Sequence, residues 1–325
     1  MKHGEISKSV ARGLRVLRER IAEADIPSSS LDESINLATW NIRDFGKSPR
    51  LDASIHYIAE ILNQFDLIAI TEVRDNLTDL SKVMKILGPY WDVVFSDYDT
   101  DSGGNHERIA YLYDKRAVTF TGLAAEPEGP RKKDKKSKEY LPKLSWWRKP
   151  YMASFRAGSF DFILLTAHIR WGKKKQDRIA PLKLLAEWVH KRRNEAHVVD
   201  RDFIVLGDFN ILKVGDELFK AVTSKGLMIP EGLKGKHGTN LARAKHYDQI
   251  LHSPAHEGLF TDRGGKIDFY DGSFAPLYPG VKKTDKQLTW ELSDHLPLWI
   301  QVNVDLEDVE TDQILAPKKR RKRKR

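Results

Sequence analysis

A layered α/β fold is what this sequence predicts, and three observations carry the prediction. Short apolar runs rich in Ile, Val, Leu and aromatic residues recur along the chain, and helical periodicity stands between some of them. The length of 325 residues suffices for one large domain with a full core and short appendages.

The first element is a helix within residues 5–24. Ile6, Val10, Leu14, Leu17 and Ile21 recur at spacings of four, four, three and four, which lines one face with apolar side chains and leaves mixed charges on the other. Pro27 and the run Ser28–Ser30 break this pattern, so residues 1–30 read as helix and linker and the main domain runs over 35–305. Its strand candidates are INLATWNI, DLIAIT, RIAYLY, FDFILLTAH, FIVLGDFN, YDQIL and LPLWIQVNV, with a helix predicted over LDASIHYIAEILNQ. Runs of four to eight such residues suit strands buried on at least one face, and their mixture with helices defines a layered arrangement. Residues 127–149 differ in kind: RKKDKKSK holds six basic residues ahead of Trp146 and Trp147 and predicts a mobile loop, at least over its first half. Residues 306–325 offer little to a core and predict a disordered tail.

Composition excludes several classes. No apolar run approaches the roughly 18 residues of a membrane span, so no membrane partner is expected. The N-terminal segment lacks the continuous apolar stretch of a secretory signal, and the absence of cysteine rules out disulfides, thiolate metal sites and cysteine nucleophiles. An intracellular protein is expected, cytoplasmic or nucleoid-associated in a bacterium and nuclear in a eukaryote. The net charge of +9 points to a polyanion, but the eight consecutive basic residues Lys318–Arg325 carry nearly all of it, leaving +1 for the rest. That tail suits a sequence-independent tether on DNA or a targeting signal. Nothing suggests a protein partner, and a monomer is expected.

Polar residues collect at or beside the ends of the strand candidates. Asn41 lies in TWNI, Glu72 follows DLIAIT, His168 ends FILLTAH, Asp208 and Asn210 follow FIVLG, and Asp294 with His295 precedes LPLWI. Any one of them is explicable as a turn residue. Together they supply oxygen ligands for a hard cation and two imidazoles able to hydrogen-bond or protonate phosphate oxygens.

ATWNIRDFG, TEVRDN, HERIAYLY, RKP, LTAH, GDFN, YDQI and SDHLP stand in an order and approximate spacing that resembles the endonuclease/exonuclease/phosphatase superfamily. TEVRD and HER look most like its deoxyribonuclease I branch, and the resemblance covers about residues 35–303. It implies two packed mixed β-sheets flanked by helices, a four-layer sandwich with the active site at one end and residues 35–305 as catalytic domain. Carried over by position, Glu72 would be the main Mg²⁺ ligand, with Asn41 beside it and Asp294 close to the same cation. Mn²⁺ would substitute, and dependence on Ca²⁺ is not legible. Asp208 and Asn210 would orient the attacking water and hold the scissile phosphate. Two dyads, His168 with Glu107 and His295 with Asp248, would complete the site, each carboxylate fixing a tautomer.

The resemblance implies hydrolysis of DNA, double-stranded, by in-line attack of water, with 5′-phosphate and 3′-hydroxyl ends. Arg74 matches an arginine that the branch lays into the minor groove, and Arg148 would contact phosphate. Inositol-phosphate or lipid phosphodiesterases of the same superfamily form the alternative, because metal-site motifs do not choose a substrate. A repair nuclease fits less well, since His168 stands where those enzymes generally have tyrosine. The chain also departs from secreted deoxyribonucleases: it has no disulfides, and Asn105 and His106 replace an aromatic DNA contact.

Overall fold

The structure is a computed structural model that describes residues 1–98, 105–142, 146–235, 237–253 and 258–306, with Thr311 and Leu315. The basic run Lys318–Arg325 lies outside the described residues. In chain order the first elements are α1 (Lys8–Ala22), β1 (Ser34–Phe45), α2 (Asp52–Leu62), β2 (Leu67–Arg74), α3 (Thr78–Leu87), β3 (Trp91–Phe95) and β4 (Glu107–Asp114). There follow β5 (Thr119–Ala125), β6 (Arg131–Lys133), β7 (Tyr140–Pro142), β8 (Tyr151–Ala157), β9 (Phe160–Thr166) and α4 (Ile179–Arg193). The chain closes with β10 (Phe203–Asp208), α5 (Glu217–Val222), β11 (Asp248–His252), β12 (Phe260–Lys266), α6 (Asp285–Leu288) and β13 (Leu298–Asn303). Among the described residues no helix is long and apolar enough to cross a membrane.

The long strands form two mixed sheets. One has the order β12-β13-β1-β2-β4-β3 and the other β11-β10-β9-β8-β5. Among the described residues only β1 with β2 and β9 with β10 pair in parallel. Side chains alternate across each strand, so each sheet sends one set inward and one set to its helices. In β1, Ile35 and Leu37 join the core between the sheets, whereas Ala38, Trp40 and Ile42 join the core under α1, α2 and α3. In β10, Ile204 and Leu206 face inward while Phe203 and Val205 pack under α4 and α5. The result is helix, sheet, sheet, helix. Tyr111, Phe155, Phe162 and Ile300 fill the centre almost without exposure.

Helix α1 is part of this body. Ser7 caps it, with Oγ accepting from Val10 N at 3.2 Å. Val10, Leu14, Leu17 and Ile21 are buried against the first sheet's helical layer. Gly13 lets the helix approach α2 closely, because a Cβ there would overlap Tyr57 Oη and the Leu277 carbonyl oxygen, which are themselves hydrogen-bonded. Gly13→Ala is therefore expected to destabilise the protein by about 1–3 kcal/mol, as overpacking does. Urea unfolding measures it, and an unchanged midpoint would mean that α1 is not seated as described.

Several elements were not legible in the sequence. β3, β5, β8 and β12 escape the strand reading, β12 because FTDRGGK lacks alternating apolar residues. Residues 127–149 also depart from the expected loop. β6 and β7 pair as an exposed hairpin, with Lys132 opposite Leu141. Asp134 shapes its turn, Oδ1 accepting from Lys136 N at 2.9 Å and Ser137 N at 2.7 Å. Beyond it Trp146 is buried over the second sheet and donates Nε1–H to the Pro181 carbonyl.

Candidate active site

At one end of the inter-sheet layer the inward-facing positions turn polar in two steps. Thr39, Thr71 and Thr166 continue the inward parity of β1, β2 and β9 and are buried. One position further come Asn41 on β1, His168 beyond β9, Asp208 on β10 and Asp248 on β11, while Glu107 opens β4 on the same face. Glu72 breaks the rule. Strict alternation from Ile68 and Ile70 would bury it under the helices, but β2 shifts register between Ile70 and Val73 and Glu72 takes a left-handed φ of 64°. The bulge hands the helix-facing place to Val73 and turns the carboxylate towards the site. Asn210 is likewise left-handed, at φ 52°, just past β10.

The polar groups interlock. Asn41 Nδ2 donates to Glu72 Oε1 at 2.8 Å and to Asp208 Oδ2 at 3.1 Å, and Asp44 N donates to Glu72 Oε2 at 2.8 Å. His168 Nδ1 hydrogen-bonds Glu107 Oε2 at 2.8 Å, and its Nε2 lies 3.4 Å from Asp208 Oδ2. His295 Nδ1 hydrogen-bonds Asp248 Oδ2 at 2.8 Å, with Nε2 3.9 Å from the same Asp208 oxygen. Both expected dyads are thus assembled, and they face one carboxylate oxygen from two directions. Asp208 Oδ1 accepts from Asn210 N at 2.9 Å, and Asn210 Nδ2 donates to the Ile169 carbonyl. Gly207 makes this possible, for at φ 131° a Cβ would overlap the carbonyl oxygen of Ala167, the residue before His168.

Burial alone would lower the basicity of both histidines, but the neighbouring carboxylates outweigh it. Glu107 and Asp208 raise the pKa of His168 against burial and Arg148, and Asp248 with Asp208 lifts His295 to about 10. Glu107 would rise with burial, yet His168 and Arg148 hold it down to about 2. Burial raises Asp248 against the pull of His295, so that dyad keeps a proton well past neutrality.

The remaining expected residues sit at the wall. Arg148 Nε is 3.0 Å from Glu107 Oε2, and Arg74 Nη1 is 3.3 Å from Asp44 Oδ1 and 3.5 Å from Glu107 Oε1. Both guanidiniums are mostly covered, at 14% exposure for Arg74 and 12% for Arg148, so neither projects far from the cleft as it stands. Asp294 is the most open member and pairs with Arg43 Nη1 at 3.4 Å. Arg43, Asp44, Trp171 and Trp290 also line the cleft and were not singled out from sequence. Arg43 and Asp44 lie inside ATWNIRDFG, which was a usable signal; the tryptophans are isolated and carried none.

The residues fit a divalent cation. Glu72 and Asp208 offer carboxylate oxygens around Asn41, whose Oδ1 is buried without a hydrogen-bond partner. Ligand atoms of Asp208, Asp248 and His295 also lie within 4.8 Å of one another. Asp248 is committed to His295 through Oδ2, however, so that group reads as a dyad facing Asp208.

A two-sheet sandwich that brings oxygen ligands and two carboxylate-backed imidazoles to the ends of its strands is built for hydrolysing phosphoester bonds. The chain belongs to the Endonuclease/Exonuclease/phosphatase family, whose profile matches residues 38–295. It is similar to Deoxyribonuclease-1 of Bos taurus, at 25% identity over 209 residues, 61% of this chain and 68% of the bovine protein. In fold it is similar to an endonuclease/exonuclease/phosphatase family protein from Bacteroides thetaiotaomicron, with TM-score 0.55 and 18% identity over 84% of this chain and 96% of that one. The catalytic domain of human Nocturnin gives TM-score 0.55 and 16% identity, over 84% of this chain and 95% of that one.

Proposed function

We propose that the protein is a Mg²⁺-dependent endonuclease that hydrolyses phosphodiester bonds of DNA by in-line attack of water, leaving 5′-phosphate and 3′-hydroxyl ends. The observation that carries this reading is the placement of two histidine–carboxylate dyads about Asp208 Oδ2, beside the Glu72–Asn41 pair. Glu72, Asn41 and Asp208 would hold the cation, with Asp294 at the open side. When bound, it neutralises charge on the phosphoryl oxygens.

The chain's own groups divide the remaining work. Asp208, anchored by Asn210 N, orients water. The Nε2 atoms of His168 and His295 stabilise or protonate phosphate oxygens, while Glu107 and Asp248 hold the rings in place from Nδ1. Arg148 and Arg74 position the polyanion at the wall. Choice of DNA rests on the TEVRD and HER motifs and on the similarity to bovine Deoxyribonuclease-1.

Supercoiled plasmid should be nicked in Mg²⁺ and left intact when a chelator is added, with inositol phosphates turned over far more slowly under the same conditions. Faster hydrolysis of the inositol phosphate would remove the nuclease reading.

A further inference from the structure

A cavity of about 570 Å³ opens beside the catalytic cleft and shares His168 and Arg148 with it. Its other walls include Trp147, Arg170, Lys173 and Asp177. Trp147 is 55% exposed, unusual for so large an apolar side chain, and the Arg170 guanidinium lies over its ring at 3.9 Å from the centroid. The lining is cationic on balance. Among the described lining residues the one carboxylate, Asp177, is already engaged through Oδ2 by the backbone N–H groups of Lys173 and Lys174 at 2.8 and 2.9 Å.

An exposed indole in a cationic recess next to a phosphate-handling histidine offers a flat apolar face and counter-charges for the backbone leading to it. In an intact duplex the base faces are covered by their neighbours in the stack, so only an unpaired base can lie on that ring. The cavity's size falls in the range of small-ligand sites. Resting on the nuclease reading above, we propose that this cavity is a subsite for one unpaired nucleobase adjoining the scissile phosphate. The substrate class it selects is single-stranded or locally unpaired DNA.

The cleft itself repeats the device. Arg43 lies over Trp290 at 3.8 Å and Arg178 over Trp171 at 4.2 Å, with both tryptophans partly exposed at the cleft. Strand running from the cavity into the cleft would meet further aromatic surface there.

The test measures binding by the full chain in chelator, where cleavage does not intervene, using labelled oligothymidylate and a labelled blunt duplex of equal length. Trp147→Ala should weaken binding of the single strand about 5- to 150-fold and of the duplex by less than about twofold, with Trp147→Phe keeping most of the single-strand affinity. Near-ultraviolet circular dichroism checks that the variants are folded. Single-strand affinity untouched by Trp147→Ala, or an equal loss on both ligands, overturns the subsite. Quenching of the unmodified protein's tryptophan fluorescence should also be greater with oligothymidylate than with duplex, and equal quenching counts against the proposal. Plasmid nicking in Mg²⁺ reports the nuclease reading separately, so a chain that nicks plasmid yet ignores Trp147 loses only the subsite.

Discussion

Asp208→Asn is expected to reduce Mg²⁺-dependent hydrolysis by about 10³-fold or more while leaving the fold intact. The amide preserves shape but removes the charge on which the site converges. Asp208 accepts from Asn41 Nδ2 and Asn210 N and faces the Nε2 atoms of both histidines. On the proposed reading, loss of that charge would weaken the hold on a cation and leave two raised-pKa imidazoles without their shared counter-ion. A catalytic cation supplies several kcal/mol of transition-state stabilisation, and each ~1.4 kcal/mol is a factor of ten. Glu72→Gln should behave similarly. Turnover measured across a Mg²⁺ titration, beside a thermal unfolding curve, decides the matter: near-parental rates at saturating Mg²⁺ would discard these carboxylates as ligands.

Alanine at His168 or at His295 should each cost about 10² to 10⁴ in turnover, the usual worth of acid–base assistance. The His295 dyad adds a pH signature. Asp248 is the principal group raising His295, so Asp248→Asn should lower its pKa from about 10 and move the alkaline fall of the rate profile to lower pH. The sign for stability follows the same shift. A histidine whose folded pKa is raised stabilises the fold fully below its ordinary value near 6.5 and loses that contribution as pH climbs through about 10. A rate profile whose alkaline limb ignores Asp248→Asn would detach the dyad from the chemistry.

The layered fold was legible from its short apolar runs, and the placement of most candidate site residues from the polar positions at the ends of those runs together with the motif resemblance. Strands such as FILLTAH and FIVLGD stand out as continuous apolar runs, which do not say which face is inward; the structure supplies the parity that holds Leu164 and Leu206 in the core and His168 and Asp208 at its end. Motif resemblance then paired His168 with Glu107 and His295 with Asp248, and the distances of 2.8 Å agree. Glu72 shows where pattern fails: its orientation depends on a bulge, a backbone decision made by neighbouring strands, which no local propensity encodes. The same limit hid Trp171 and Trp290, whose place at the cleft depends on which loops the fold brings together. Exposed edge strands such as β5, with little apolar periodicity, escaped for want of a buried face.

Three links in the site join one sheet to the other. Asn41 on β1 reaches Asp208 on β10, Glu107 on β4 reaches His168 beyond β9, and His295 ahead of β13 reaches Asp248 on β11. Turnover is therefore a gauge of the gap between two slabs: hydrogen bonds tolerate only tenths of an ångström, and a close-packed core passes any strain on to them. Mild heat or denaturant should silence the enzyme while its circular dichroism still looks native. Trimming an inner ring such as Phe162, far from any reacting atom, should have the same effect as blunting the site itself.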